Sequence, residues 1–285
     1  MSKIDIDHLR QWIGRTETRD ERIAPFPSNA LAATLNRNDA AYEDGTPLPP
    51  LWHWMHFLPV FKMSDTNYDG HAALGEFLPP VPLPRRMWAG SRLKFLAPMR
   101  IGQVLQKKSE VVSVSHKKGR SGDLVFVTVR HSLWDGEVQG VDEEHDIVYR
   151  EAPKQDARVI TPPSAPDAWD FSRDIVPDPV LLFRYSALTF NGHRIHYDQP
   201  FCTTTEGYEG LVVHGPLLAT LLLDLLRREK PEAVVTNFRF RAVSTVFDTA
   251  PFSVQGAATG ETGEYRLWAR RHDGALAMDA TAKIV

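Results

Sequence analysis

One cysteine, Cys202, among 285 residues excludes an internal disulfide and any cysteine-rich metal site. No G-x-G-x-x-G or Walker pattern occurs, so nothing points to NAD or ATP. No G-x-S-x-G elbow marks a serine hydrolase. Positive charge is not in excess: the formal net charge is −3, which gives no basis for binding nucleic acid. No apolar run reaches the ~20 residues needed to span a bilayer. The first residues carry acids early and no apolar core, unlike a secretory leader. These absences make the chain read as a cytoplasmic protein with neither a membrane nor a nucleic-acid partner. His53, His56 and His71 lie among aromatic residues without alternating carboxylates or an H-E-x-x-H spacing. They read as packed side chains, and no metal is assigned.

What is present is a globular composition, 42% hydrophobic and 24% charged, with ample material for a core. The stretch from Tyr185 to Leu226 organises the rest. It ends in a helix apolar nearly all round: Leu217, Leu218, Leu221, Leu222, Leu225 and Leu226 cover one broad side. Ala219 and Leu223 cover more, and only Thr220 and Asp224 interrupt. Such a helix must be buried, because a surface helix shows one polar face. Its start, His214-Gly215-Pro216, lies close in sequence to Asn191, His193, Arg194, His196 and Asp198, side chains that hold or move protons.

Upstream, helical spacing covers Ile4–Ile13, and Ser28 is placed to cap a second helix over Asn29–Leu35. Arg15–Arg22 reads as a charged link. Leu51–Phe61 is aromatic but too short and mixed to assign, and Tyr68–Arg86 is a long, proline-rich loop. From Met87 the texture turns to strands: Trp88–Leu96, Val104–His116, Leu124–Leu133 and Val138–Tyr149, with a glycine-bearing turn over Lys118–Gly122. A second block follows the apolar helix: Val234–Phe247, Phe252–Thr259, Gly263–Arg271 and Ala275–Ile284. In both blocks a D-G turn, Asp135-Gly136 or Asp273-Gly274, precedes the last strand. The shared rhythm predicts an internal duplication. Residues 1–150 form one unit, 151–170 a linker and 171–285 the second unit. Helices preceding runs of antiparallel strands make the class α+β.

The run Y-S-A-L-T-F-N-G-H-R-I-H-Y-D, followed by V-V-H-G-P-L-L-A-T-L, resembles the MaoC-like (R)-specific enoyl-thioester hydratases and dehydratases. The upstream P-L-P-P-L-W-H-W and F-L-P-P-V-P-L-P-R-R-M-W-A-G-S-R stretches resemble the N-terminal half of the double-hot-dog branch, from about Pro47 onward. That branch includes type 2 hydroxyacyl-thioester dehydratases and mesaconyl-C4-CoA or itaconyl-CoA hydratases. The resemblance implies a double hot dog, two antiparallel sheets each wrapped round a helix, with the first unit a non-catalytic acyl-pocket half. It implies reversible, cofactor-independent hydration of an enoyl-CoA, leaning to a short branched or dicarboxylic acyl group. The family motif is G-D-x-N-P-I-H. Here Asn191 stands at the Asp position, His193 at Asn, Arg194 at Pro, and His196 keeps the His.

That alignment makes Asn191 and His196 the catalytic pair. An amide accepts no proton at neutral pH, so Asn191 orients a water and His196, ordinarily titrating near about 6.5, is the acid–base. Backbone N–H groups around His214, Gly215 and Leu217 would stabilise the thioester oxyanion, since a helix start presents unpaired donors. His193 and Arg194 would bind a distal carboxylate or a CoA phosphate, with a plain ion pair the alternative for Arg194. Arg85 and Arg86 would meet CoA phosphates or solvent. Asp198 caps the turn before Pro200 or steers His196. Two other functions stay open: a hot-dog thioesterase using Asp224, and a non-catalytic acyl-CoA-binding subunit in which Asn191 replaces the reactive Asp. A homodimer is left open, since two units in one chain already form a pair.

Overall fold

A computed structural model of the chain describes residues 4–119, 122–151 and 161–285. The first half contributes β1 (Thr16–Arg22), β2 (Arg85–Phe95), β3 (Val104–Gly119), β4 (Gly122–Asp135) and β5 (Val138–Arg150). The second contributes β6 (Phe171–Ile175), β7 (Val235–Ala242), β8 (Phe252–Ala258), β9 (Glu264–Arg270) and β10 (Leu276–Ile284). All pair antiparallel in one ten-stranded sheet ordered β1-β3-β4-β5-β2-β7-β10-β9-β8-β6. Read outward from the centre, each half runs through its strands in the same order, which is the duplication expected from the paired D-G turns. Those turns join β4 to β5 and β9 to β10. The centre is the seam between β2 and β7, from Gly90 opposite Arg241 to Lys94 opposite Asn237. The two sheets expected from sequence thus meet edge to edge and continue as one.

The strands form because their apolar residues fall on alternate positions. Val125, Val127 and Val129 are buried along β4, and Phe238 and Phe240 alternate with exposed Arg239 and Arg241 on β7. The concave face holds α4 (Gly215–Glu229), in which every residue from Leu217 to Leu226 is buried. It lies against β6, β8, β9 and β10, and each leucine it buries is worth roughly 1.5–3 kcal/mol. Asp224, the carboxylate in that buried run, is clasped by three arginines: Arg37 at 2.5 Å, Arg173 at 2.9 Å and Arg228 at 2.8 Å. Arg37 comes from the first half, so this clasp also ties the halves together.

The first half has shorter helices. They are α1 (Ile6–Arg10), α2 (Pro25–Thr34) and, where the aromatic run stands, a single 3-10 turn at Trp52–Met55. α2 begins at Pro25, not at Asn29. Proline suits a first helical position because its missing N–H would be unpaired there anyway, and Ser28 lies buried inside the helix. Three elements escape the sequence patterns. The charged link is strand β1, FSRDI is edge strand β6, and α3 (Pro179–Leu188) precedes the histidine cluster, its start capped by Asp178. The strand expected to reach Phe247 stops at Ala242. The turn expected over Lys118–Gly122 lies partly outside the described residues, as does part of the 151–170 linker.

Candidate active site

Two loops, one from each half, meet beside the start of α4. The loop from the second half follows α3. Phe190 takes a left-handed φ of 49°, and the Asn191 side-chain carbonyl accepts the His193 N–H at 3.0 Å. That bond folds the chain back into a 3-10 turn over Arg194–His196. One of the two lone pairs of the Asn191 carbonyl oxygen is therefore engaged in its own turn. The other lone pair and the amide N–H remain to hold a water.

His196 is buried, and its Nδ1 lies 2.7 Å from the Val212 carbonyl. A carbonyl only accepts, so Nδ1 carries the proton and Nε2 keeps its lone pair. Burial pushes this imidazole down to about 4, with the charge of His71 acting the same way and the Val212 bond resisting. The ring is neutral near pH 7, with a basic nitrogen free. His214 stacks on it, ring centroids 3.7 Å apart and 19° from parallel. His214 is fully buried, and its Nε2 is 2.8 Å from Ser186 Oγ on α3. Burial lowers its pKa well below the usual range, with His196 and His193 adding to the shift. The His214 side chain is thus a support beneath His196.

The loop from the first half supplies Tyr68, Asp69 and His71. The Asp69 carbonyl accepts the Arg194 N–H at 2.9 Å. Gly70 packs so tightly on the second loop that a Cβ there would come within 1.9 Å of the Gly192 carbonyl oxygen. The His71 ring lies 4.0 Å from that of His193, which lies 5.5 Å from that of His196. His71 Nδ1 is 2.8 Å from an Asp69 carboxylate oxygen. Burial holds both His71 and His193 below the usual imidazole range. Ligand atoms of Asp69, His71 and His193 lie within 4.8 Å of one another, a three-donor arrangement open to a cation. The positive charge of Arg86 acts on both histidines and works against one.

Other expected residues have different duties. Arg194 donates to Asp198 through Nε at 2.9 Å and Nη2 at 2.8 Å, donates to the Tyr68 carbonyl at 3.0 Å, and lies over the Phe201 ring. Its guanidinium is thus held in an ion pair within the loop. Asp198 also accepts the Phe201 N–H at 3.1 Å, so it caps the turn after Pro200. Asp224 sits in its arginine clasp and is not available as a hydrolytic carboxylate. At the helix start, no side chain caps the first-turn N–H groups. A Cβ at Gly215 would meet nothing within 4 Å, so space lies beside those donors. The Leu217 side chain points into the core. Ser186 carried no sequence signal of its own, because its partner His214 lies 28 residues away in the chain.

A family model for hydroxyacyl-thioester dehydratase type 2 matches residues 51–248, which takes in both loops, the seam strand β2 and all of α4. The chain belongs to that family. Within this dehydratase family, it is 46% identical over 274 residues, 96% of each chain, to the mesaconyl-C(4)-CoA hydratase of Chloroflexus aurantiacus. It is 29% identical over 255 residues to the mitochondrial type 2 hydroxyacyl-thioester dehydratase of Schizosaccharomyces pombe, covering 79% of this chain and 81% of that one. In fold it is similar to a MaoC-like dehydratase from Phytophthora capsici, with a TM-score of 0.70, 15% identity and 99% and 98% of the two chains covered. A Mycobacterium tuberculosis protein described as a double hotdog aligns with a TM-score of 0.59 at 13% identity over 96% of both chains. The architecture is the double hot dog, and this family member is a hydro-lyase that hydrates or dehydrates acyl thioesters. No helix among the described residues is long and apolar enough to cross a membrane.

Proposed function

We propose that this dehydratase-family member hydrates a short, branched or dicarboxylic enoyl-CoA of the mesaconyl type, with His196 as acid–base and Asn191 holding the water. The observation that carries the reading is the His196 hydrogen bond to Val212, which leaves Nε2 as a lone pair at neutral pH. The 46% identity to a mesaconyl-C(4)-CoA hydratase supports the acyl class. Nε2 takes a proton from water as the water oxygen bonds to Cβ. The alkene electrons shift towards the thioester oxygen, where N–H groups of His214, Gly215 and Leu217 at the start of α4 stabilise the charge. The imidazolium then returns the proton to Cα, so H and OH are added with no change of redox state. In this reading 1–150 walls the acyl pocket and 171–285 carries the chemistry.

The test follows the conjugated-thioester absorbance with crotonyl-, long-chain enoyl-, mesaconyl- and itaconyl-CoA. Absorbance should fall with CoA still acylated, fastest on the dicarboxylic thioesters. His196→Ala should remove the activity, since positioned acid–base groups supply about 10²–10⁴-fold. Free thiol release would make the protein a thioesterase. Tight binding without turnover of any substrate would make it an acyl-CoA-binding subunit, with Asn191 as the reason.

A further inference from the structure

Beside the His71–His193 pair lies a cavity of about 220 Å³, bounded by Tyr68, Asp69, His71, Arg86, Leu83 and Tyr149 among others. It has space for roughly seven water-sized groups, enough for a short acyl group. Two of its walls are chemically incomplete. Arg85 pairs with Glu206 at 2.8 Å, yet Arg86 beside it forms no ion pair among the described residues. Tyr149 is fully buried, and its O–H proton has no acceptor among the described residues, although Arg86 lies close enough to donate to its oxygen. A buried hydroxyl proton left unpaired costs about 1–3 kcal/mol, and half-buried Arg86 keeps its charge beside it without a counter-ion.

These two residues are direct partners across the β2–β5 ladder, so their side chains leave the same face of the sheet side by side. Together they offer a planar cationic fork and a neutral O–H donor, the set that recognises a carboxylate. Burial raises the Tyr149 pKa and outweighs Arg86, whose charge and hydrogen bond act the other way, so the hydroxyl keeps its proton. Asp69 shares the cavity, but both its oxygens already accept from His71, at 3.0 Å from the backbone N–H and 2.8 Å from Nδ1. Arg86 is close enough for its charge to act on His71 and His193, and the His193 ring lies 5.5 Å from that of His196.

We infer that Arg86 and Tyr149 form a carboxylate subsite that receives the second, non-thioester carboxylate of a dicarboxylic acyl-CoA. The inference rests on the hydratase reading above and names what selects its substrate. It moves that role from Arg194, which is held by Asp198, to a residue of the opposite half.

The experiment compares kcat/KM for mesaconyl-C4-CoA with that for uncharged crotonyl-CoA, in the wild type, Arg86→Gln and Tyr149→Phe. The ratio of the two should fall roughly 10- to 100-fold in Arg86→Gln, the worth of a charge-assisted hydrogen bond. It should fall less in Tyr149→Phe, which keeps the ring and its packing. A second arm measures stabilisation of each protein by free mesaconate and by its neutral dimethyl ester. The wild type should respond to the dianion only, and Arg86→Gln to neither. An unchanged ratio, or mesaconate binding that survives Arg86→Gln, overturns the subsite. Loss of turnover on every substrate with mesaconate binding intact in the wild type and lost in Arg86→Gln would sink the hydratase reading and leave the subsite standing.

Discussion

His196 and His214 lie ring on ring, 3.7 Å between centroids and 19° from parallel. The upper ring is held at its edge by Val212, the lower by Ser186. A single hydrogen bond lets an imidazole swing about its axis, whereas a bond together with a flat neighbour fixes the plane and the direction of Nε2. His214 is thus a positioning residue. His214→Ala should lower kcat about 10²-fold, the scale of a small misplacement, with KM nearly unchanged. His214→Phe restores the flat surface and should recover most of the loss. Equal damage from both would assign the effect to the Ser186 bond instead.

The neutral state of His196 sets the pH profile. The base is competent when unprotonated, so activity is retained above its pKa and lost as pH falls through about 4. The acid limb of kcat/KM should fall well below the 6.5 or so of an ordinary histidine. A limb near 6.5, abolished in no histidine variant, would mean another group carries the proton.

Stability should weaken earlier than activity on the acid side. His145 and His196 are both held down to about 4, chiefly by burial. Between that value and about 6.5 the unfolded chain binds protons that the folded protein refuses, so stability rises with pH across this window. Each such group adds a slope of ~1.4 kcal/mol per pH unit. Carboxylates held low, such as Asp146, contribute only nearer their ordinary range and below. Urea midpoints measured from pH 7 to 5 should therefore decline, and a flat series would contradict the neutral-histidine core.

Gly70 and Gly45 share a φ of +91°, yet only Gly70 is crowded, by the Gly192 carbonyl at 1.9 Å from a built Cβ. Alanine at either position bears the same backbone strain, of order 1 kcal/mol. The difference between the two variants isolates the contact between the loops. Gly70→Ala should cut kcat at least tenfold with a modest loss of melting temperature, while Gly45→Ala changes melting temperature alone. Equal effects on kcat would show the interlock to be unimportant for catalysis.

Much of this was legible in the chain, and the illegible parts have physical causes. The leucine pattern announced a buried helix because no solvated helix lacks a polar face, and the strands of both β blocks followed from alternation and D-G turns. The histidine loop was recognisable because its motif is local. The roles within it were not. Whether Arg194 meets substrate or Asp198, and whether the Asn191 oxygen is free, depends on bonds only a few residues long but decided by the fold. Arg86 and Tyr149 are harder still, since their adjacency exists only through strand pairing. α2 was misplaced because Pro25 reads equally well as a break or a beginning.

The strand β1, TETRDER, is the outermost of its half, with charges of both signs along its length. A further strand docking there would have to strip water from these side chains with no partner prepared for them. β6, at the opposite margin, exposes Ser172 and Asp174 to a newcomer. A sheet that has already fused two units across its middle thus carries charge at both margins, which disfavours the docking of a third. The charges that hid β1 from any hydrophobic pattern are what bring the sheet to an end.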